Sequence, residues 1–201
     1  MTQAIAKYEI SAAPTAWNTD QIGLIKSQIA VGCTDAELAL FGQVCQRTGL
    51  DPFSRQIYAI KRNQYNPETR QKEPKMTVQV SVDGFRTIAA RSGLYGGSAT
   101  EWCGEDGIWR DVWLGNGSPA AAKTTVHRIG SPHPFTAVAK FSSYAVSFNG
   151  KLSGLWEKMP DLMIGKVSES LALRKAFPAE LSGLSTCLLY TSDAADDAPR
   201  V

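Results

Sequence analysis

The chain has 201 residues, 43% hydrophobic and 20% charged, with a formal net charge of +2. That composition builds one ordinary globular domain or two small ones and excludes a disordered or fibrous chain. No apolar run approaches the roughly 18 residues that span a bilayer, and the first residues, MTQAIAKYEISAAPTAW, lack the apolar core of a signal peptide.

Cys33, Cys45, Cys103 and Cys187 are scattered without a C-x-x-C pair, and His127 and His133 are the two histidines. This pattern fits a reducing, cytoplasmic setting and argues against a zinc knuckle, a disulfide scaffold or a histidine-rich metal site.

Residues 1–20 mix Ala, Ser, Thr and Pro and read as a loose arm, ahead of a core over 21–184. Thr34 and Glu37 have the spacing of a capping box. The helix they open carries Leu38, Phe41, Val44 and Cys45 and stops at Gly49. A strand over Gln56–Arg62 follows, then a polar, proline-containing hairpin tip, NQYNPETRQKEPKM. Between Arg55 and Lys75 stand six cations against Glu68 and Glu73, an excess suited to phosphates. The return strand TVQVSVDG alternates Val78, Val80 and Val82 with Thr77, Gln79 and Ser81. Asp83 reads as a turn or cap residue before a short helix that ends at Gly93.

The middle reads as a meander. Strands are expected near Ala99–Trp102, in IWRDVWL, over Ala121–Arg128 and over Phe135–Phe141, with Trp102, Trp109 and Trp113 packing the sheet. After an Asn149–Lys151 turn, a last helix runs from about Asp161 to Phe177, before Pro178. The fold class is therefore α+β, a twisted and mainly antiparallel sheet with hairpins and packed helices. Residues 185–201 change character. The stretch CLLYTSDAADD resembles translated sequencing-adapter sequence, so the tail reads as non-native and the native C-terminus as missing. Without it the chain has 20 basic and 16 acidic residues.

Two motifs are decoys. GSPAAAKT approaches the phosphate-cradling G-x-x-x-x-G-K-[ST] pattern, but Ala122 replaces the second glycine and Thr124, Thr125 and Val126 favour a strand over the required helix. There Lys123 is solvated or faces a phosphate. Glu101, Glu105, Asp106 and Asp111 offer carboxylates for a two-metal nuclease, yet two of them sit in a Gly-bounded turn.

On the last helix Lys166, Ser170 and Arg174 stand at i, i+4 and i+8, about 6 Å apart in rise. That spacing is close to the step between phosphates of an extended strand, and Trp156 upstream offers a stacking face. Cations along a backbone with an aromatic for bases is the design of sequence-blind single-strand binding.

Several blocks in order, TDAELALFGQVCQRTGLDPFSRQIYAIKR, VSVDGFRTIAARSGLYGG, EWCGEDGIWRDVWL and GLWEKMPDLMIGKVSESLALRKAFPAELSGL, resemble the Bet/Redβ branch of the RecT family of single-strand annealing proteins. The resemblance runs from about Cys33 to Leu184. It implies an annealase core and a non-enzymatic, ATP-independent activity that needs no cofactor, magnesium acting on the DNA alone. It also implies single-stranded DNA and an annealed duplex intermediate as ligands, and a homo-oligomer, ring or helical filament. A phage exonuclease and host single-strand-binding protein would be partners through a C-terminal domain that this reading takes to be absent. The family's Trp, Lys and Arg map to Trp156, Lys166 and Arg174, with Arg86 beside the VDG block. Lys61 and Arg62 would line a groove wall or reach a neighbouring protomer's DNA. The alternatives are a metal-dependent DNA nuclease or processing enzyme, and a structural assembly protein whose basic hairpin contacts other protomers.

Overall fold

A computed structural model describes residues 17–186 and residue 188. Most of the expected N-terminal arm and C-terminal tail therefore lies outside the described residues. The chain divides into two compact units, Met1–Thr77 and Val78–Val201.

The first unit opens with α1 (Thr19–Leu24) and a π-helical turn, Ile25–Ile29. Neither was read from composition, although Asn18 and Gln21 form a reciprocal capping box at the start. Helix α2 (Asp35–Thr48) begins on the expected Thr34–Glu37 box and ends at Gly49, whose φ of 64° is left-handed. It buries Leu38, Phe41 and Cys45 on one face. Trp17 lies 6.1 Å from the Phe41 ring, and Gly42 lets that indole approach, since a Cβ there would meet it at 3.3 Å. Strands β1 (Ile57–Asn66) and β2 (Gln71–Val80) are much longer than the polarity of the tip suggested. The connection is only residues 67–70, with Arg70 at a φ of 53°. Polar strand residues escape a burial-based reading because an exposed ribbon has no buried face to impose alternation.

In the second unit the end of β2 pairs in parallel with β9 (Ser185–Thr186), the first two residues of the expected tail. Here the expected alternation fails: Gln79 is fully buried while Val78 is half-buried. Ser81 leaves the strand altogether and caps α3 (Val82–Arg91) through its side chain, so Asp83 sits in the first helical turn rather than at the cap.

The core of this unit is an antiparallel sheet in the order β4-β3-β5-β6, built from β3 (Tyr95–Cys103), β4 (Trp109–Arg110), β5 (Ala121–Arg128) and β6 (Phe135–Lys140). The expected strand IWRDVWL reduces to two residues, because Trp113 folds back onto Gly115 and donates its indole N–H to Gly117 O. Alternate residues Ala122, Thr124 and Val126 of β5, with Ala137 and Ala139 of β6, face inward. After α4 (Phe141–Tyr144), the hairpin β7 (Ser147–Phe148) and β8 (Lys151–Leu152) turns on Asn149 and Gly150, both at positive φ. Short α5 (Leu155–Lys158) leads to α6 (Pro160–Ala176), which packs along β5, β6 and β3. No described helix is long and apolar enough to cross a membrane.

Candidate nucleic-acid interface

Helix α6 is the element to which the sequence assigned most of the chemistry, and it is not the half-solvated helix its stripe suggested. Ten of its residues are buried, on nearly every side. Its inner surface is pinned to the sheet by a line of hydroxyls: Thr100 to Thr124 at 2.8 Å, Thr124 to Ser168 at 2.7 Å, and Ser168 to Gly165 O at 2.9 Å. Because Ser168 spends its one proton on that carbonyl, Thr124 must donate to Ser168 and Thr100 to Thr124. Gly165 admits Trp102, whose ring would lie 3.2 Å from a Cβ and whose indole N–H donates to Asp161 O at 2.9 Å. Trp102 was expected to pack the sheet, but the roles of Thr100, Gly165 and Ser168 were not read from sequence, although a glycine inside a helix pattern commonly marks such a close approach.

Lys166 and Arg174 are half-buried, about 12 Å apart along the axis. Neither side chain makes a hydrogen bond or ion pair with another described residue. Ser170 between them is fully buried and donates its hydroxyl to Lys166 O at 2.8 Å, so it is tied into its own helix rather than offered to a phosphate.

Trp156 presents no stacking face. It is 5% exposed, clustered with Ala122, Met163, Ile164 and Val167, and meets Phe141 edge-on at 5.6 Å. The apolar periodicity of the segment around it hid nothing; an isolated Trp simply finds the core more often than the surface.

Arg86 is also committed. Its Nε and Nη2 hold both oxygens of buried Glu169, at 2.7 and 2.6 Å, and Nη1 donates to Asp83 at 2.8 Å. The hydrogen bonds it donates to Glu169 and then to Asp83 push the guanidinium pKa still higher, against partial desolvation. The carboxylate of Glu169, on the same helix as Lys166, is thereby compensated by Arg86.

The remaining cations are paired to different degrees. Lys123 bonds Glu101, its cross-strand partner, at 2.8 Å and lies 4.6 Å over the Trp109 ring. Its place in a strand also removes the P-loop reading. Asp106 is taken by Arg110 at 2.6 Å, and no group of three metal-ligating side chains occurs among the described residues. Arg128 caps the C-terminal end of α6, donating to Ala176 O and stacking 4.8 Å from Phe177, while Lys175 donates to Thr136 O on β6. In the first unit Lys61 reaches Glu37 at 3.2 Å, and Arg62 is half-buried with a partner of its own.

Of the eight candidates, Lys166 and Arg174 are thus the two whose charges no described group compensates. The sequence pattern of the RecT family matches residues 15–201. The chain belongs to the RecT family. That membership places it among proteins of recombination and strand annealing, and accords with the α+β architecture. No curated protein matches the chain.

Proposed function

We propose that this RecT-family chain is a single-stranded DNA annealing protein of phage homologous recombination, of the Bet/Redβ kind, that works without ATP or a metal and as a homo-oligomer in the bacterial cytoplasm. The family match over residues 15–201 carries this reading. The uncompensated Lys166 and Arg174 supply its local chemistry.

The activity needs no bond to be made or broken. Lys166 and Arg174 would neutralise phosphates, releasing counterions and lowering repulsion between two strands. A helix fixed by the hydroxyl line and by the Arg86–Glu169 clamp keeps both cations at a set spacing, so a strand is held extended with its bases open to a complement. Correct pairing then adds stacking energy that a mismatch lacks. Assembly into rings or filaments would multiply weak contacts, so each subunit need bind only loosely. Docking to an exonuclease or to host single-strand-binding protein is a separate property, outside what these residues carry.

The test mixes complementary labelled oligonucleotides with the protein in the absence of ATP, then repeats the mixture with magnesium. Accelerated pairing of intact strands is expected in both. Shortened strands in the magnesium arm would instead establish a nuclease, and no effect on either strand would leave an assembly role.

A further inference from the structure

If Trp156 is unavailable for stacking, another aromatic must meet the bases, or none does. The β1–β2 ribbon of the first unit supplies one. From Lys61 to Lys75 no residue is buried. A two-stranded ribbon of this kind is at best marginally stable in water by itself. Its charge is lopsided, with Arg62, Arg70, Lys72 and Lys75 against Glu68 and Glu73, Lys61 being paired with Glu37. Glu73 accepts from Asn66 at 2.9 Å and Thr69 at 2.7 Å, which fixes its carboxylate within the tip.

Strand geometry sorts these groups onto faces. Successive odd positions of β1 share one side, so the face that buries Ile57 and Ala59 at the root carries Lys61, Asn63 and Tyr65 farther out. Counting back from the residue 67–70 connection sets Tyr65 across from Lys72, a register that agrees with the Thr77 hydroxyl donating to Ile60 O. Tyr65 is 55% exposed. It borders a cleft of ≈ 400 Å³ that Pro67, Glu68, Glu73, Pro74 and Lys75 also line, within the size range of small-ligand sites, about 300–1,000 Å³. Same-face residues on a strand repeat every ~6.7 Å, close to the step of an extended polynucleotide. Tyr65 has Lys72 across from it and Lys61 two same-face steps away, an exposed aromatic with cations near it that fits a base and its adjoining phosphates.

We propose that Tyr65 at the tip of the ribbon is a base-stacking site for single-stranded nucleic acid, with Lys72 and Arg70 taking the adjoining phosphates. This rests on the strand-binding reading and gives it a base contact, in a unit other than the one that holds Lys166 and Arg174. A second copy of the chain is the rival occupant; the excess of cations favours the polyanion.

The experiment measures binding of the full chain, and of its Tyr65→Ala and Tyr65→Phe variants, to oligothymidylate and to a strand of equal length made of abasic sites. Tyr65→Ala is expected to weaken oligothymidylate binding by about 5- to 150-fold, to leave abasic binding and the salt slope unchanged, and to keep the urea midpoint of the wild type. Tyr65→Phe keeps the ring and stays within about twofold of wild type. Equal effects on both strands, or none on either, overturn the proposal while the strand-binding reading stands. So does a shift in DNA-free sedimentation with unchanged oligothymidylate affinity, which would assign the tip to a second copy. Wild-type protein that binds neither strand overturns both.

Discussion

Replacing Arg86 by alanine removes the guanidinium that holds both oxygens of Glu169, a residue whose side chain is 7% exposed in the pair. Stripping one partner from a buried ion pair typically costs about 3–5 kcal/mol, because the remaining charge is left without compensation. Arg86 itself is 47% exposed, so water already shares in its solvation, and the discounted expectation is about 2–3 kcal/mol. For a chain of this size that corresponds to a fall of roughly 5–10 °C in Tm. Urea unfolding followed by circular dichroism measures it as a lower midpoint at constant slope. The companion variant, Arg86→Met with Glu169→Leu, replaces the pair by apolar groups and is expected to recover most of the loss. An Arg86→Ala midpoint matching wild type, or a double variant no better than the single, would refute the clamp as the reason α3 and α6 hold together.

Other expectations follow from single groups. Burial, and then the nearby Asp51 carboxylate, push the Cys45 thiol up to about 12, so native protein at pH 8 should not alkylate there while urea-unfolded protein reacts fully. Mass-spectrometric mapping that finds native Cys45 modified at the unfolded rate contradicts that burial. Thr34→Ala removes the acceptor for Glu37 N–H and should cost about 1 kcal/mol, measurable by urea titration. The Thr34 backbone N–H, and after it Lys61, hold the Glu37 carboxyl below its ordinary range. Its contribution is therefore present above the unfolded value, near pH 4.3, and lost as pH falls through the lower folded value. The stability gap between wild type and Glu37→Gln should close in acid rather than widen. Gly165→Ala places a methyl group 3.2 Å from an indole that Asp161 O holds in place, and a loss of about 1 kcal/mol or more is expected in the same titration; a gain would show that Trp102 is free to yield.

The parts of this fold that the sequence discloses are those where local chemistry and burial agree. The Thr34–Glu37 box, Gly49, the strands around Ala121–Arg128 and Phe135–Lys140, and the helix ended before Pro178 all fall within a residue or so of their expected places. The ribbon was shortened because Gln64, Tyr65 and Lys72 are polar or exposed, and no buried face imposes an apolar alternation on the sequence there. Gln79 broke the valine pattern because it is buried with both amide atoms lacking a partner, a cost that no periodicity reveals. The candidate site was half legible. Helical spacing does put Lys166 and Arg174 on one stripe, but spacing is silent about depth, so it could not show that Ser170 between them is covered. Nor could it show that Arg86 is committed to a residue 83 positions away.

The claim on which the functional account rests is that the charges of Lys166 and Arg174 hold phosphates. The direct measurement is the salt dependence of single-strand affinity for wild type and for Lys166→Ala with Arg174→Ala. Loss of two phosphate contacts should weaken binding and reduce the slope of log affinity against log salt by about 1.4 per subunit, with an unchanged urea midpoint. An unchanged slope and affinity in a folded double variant would contradict the account.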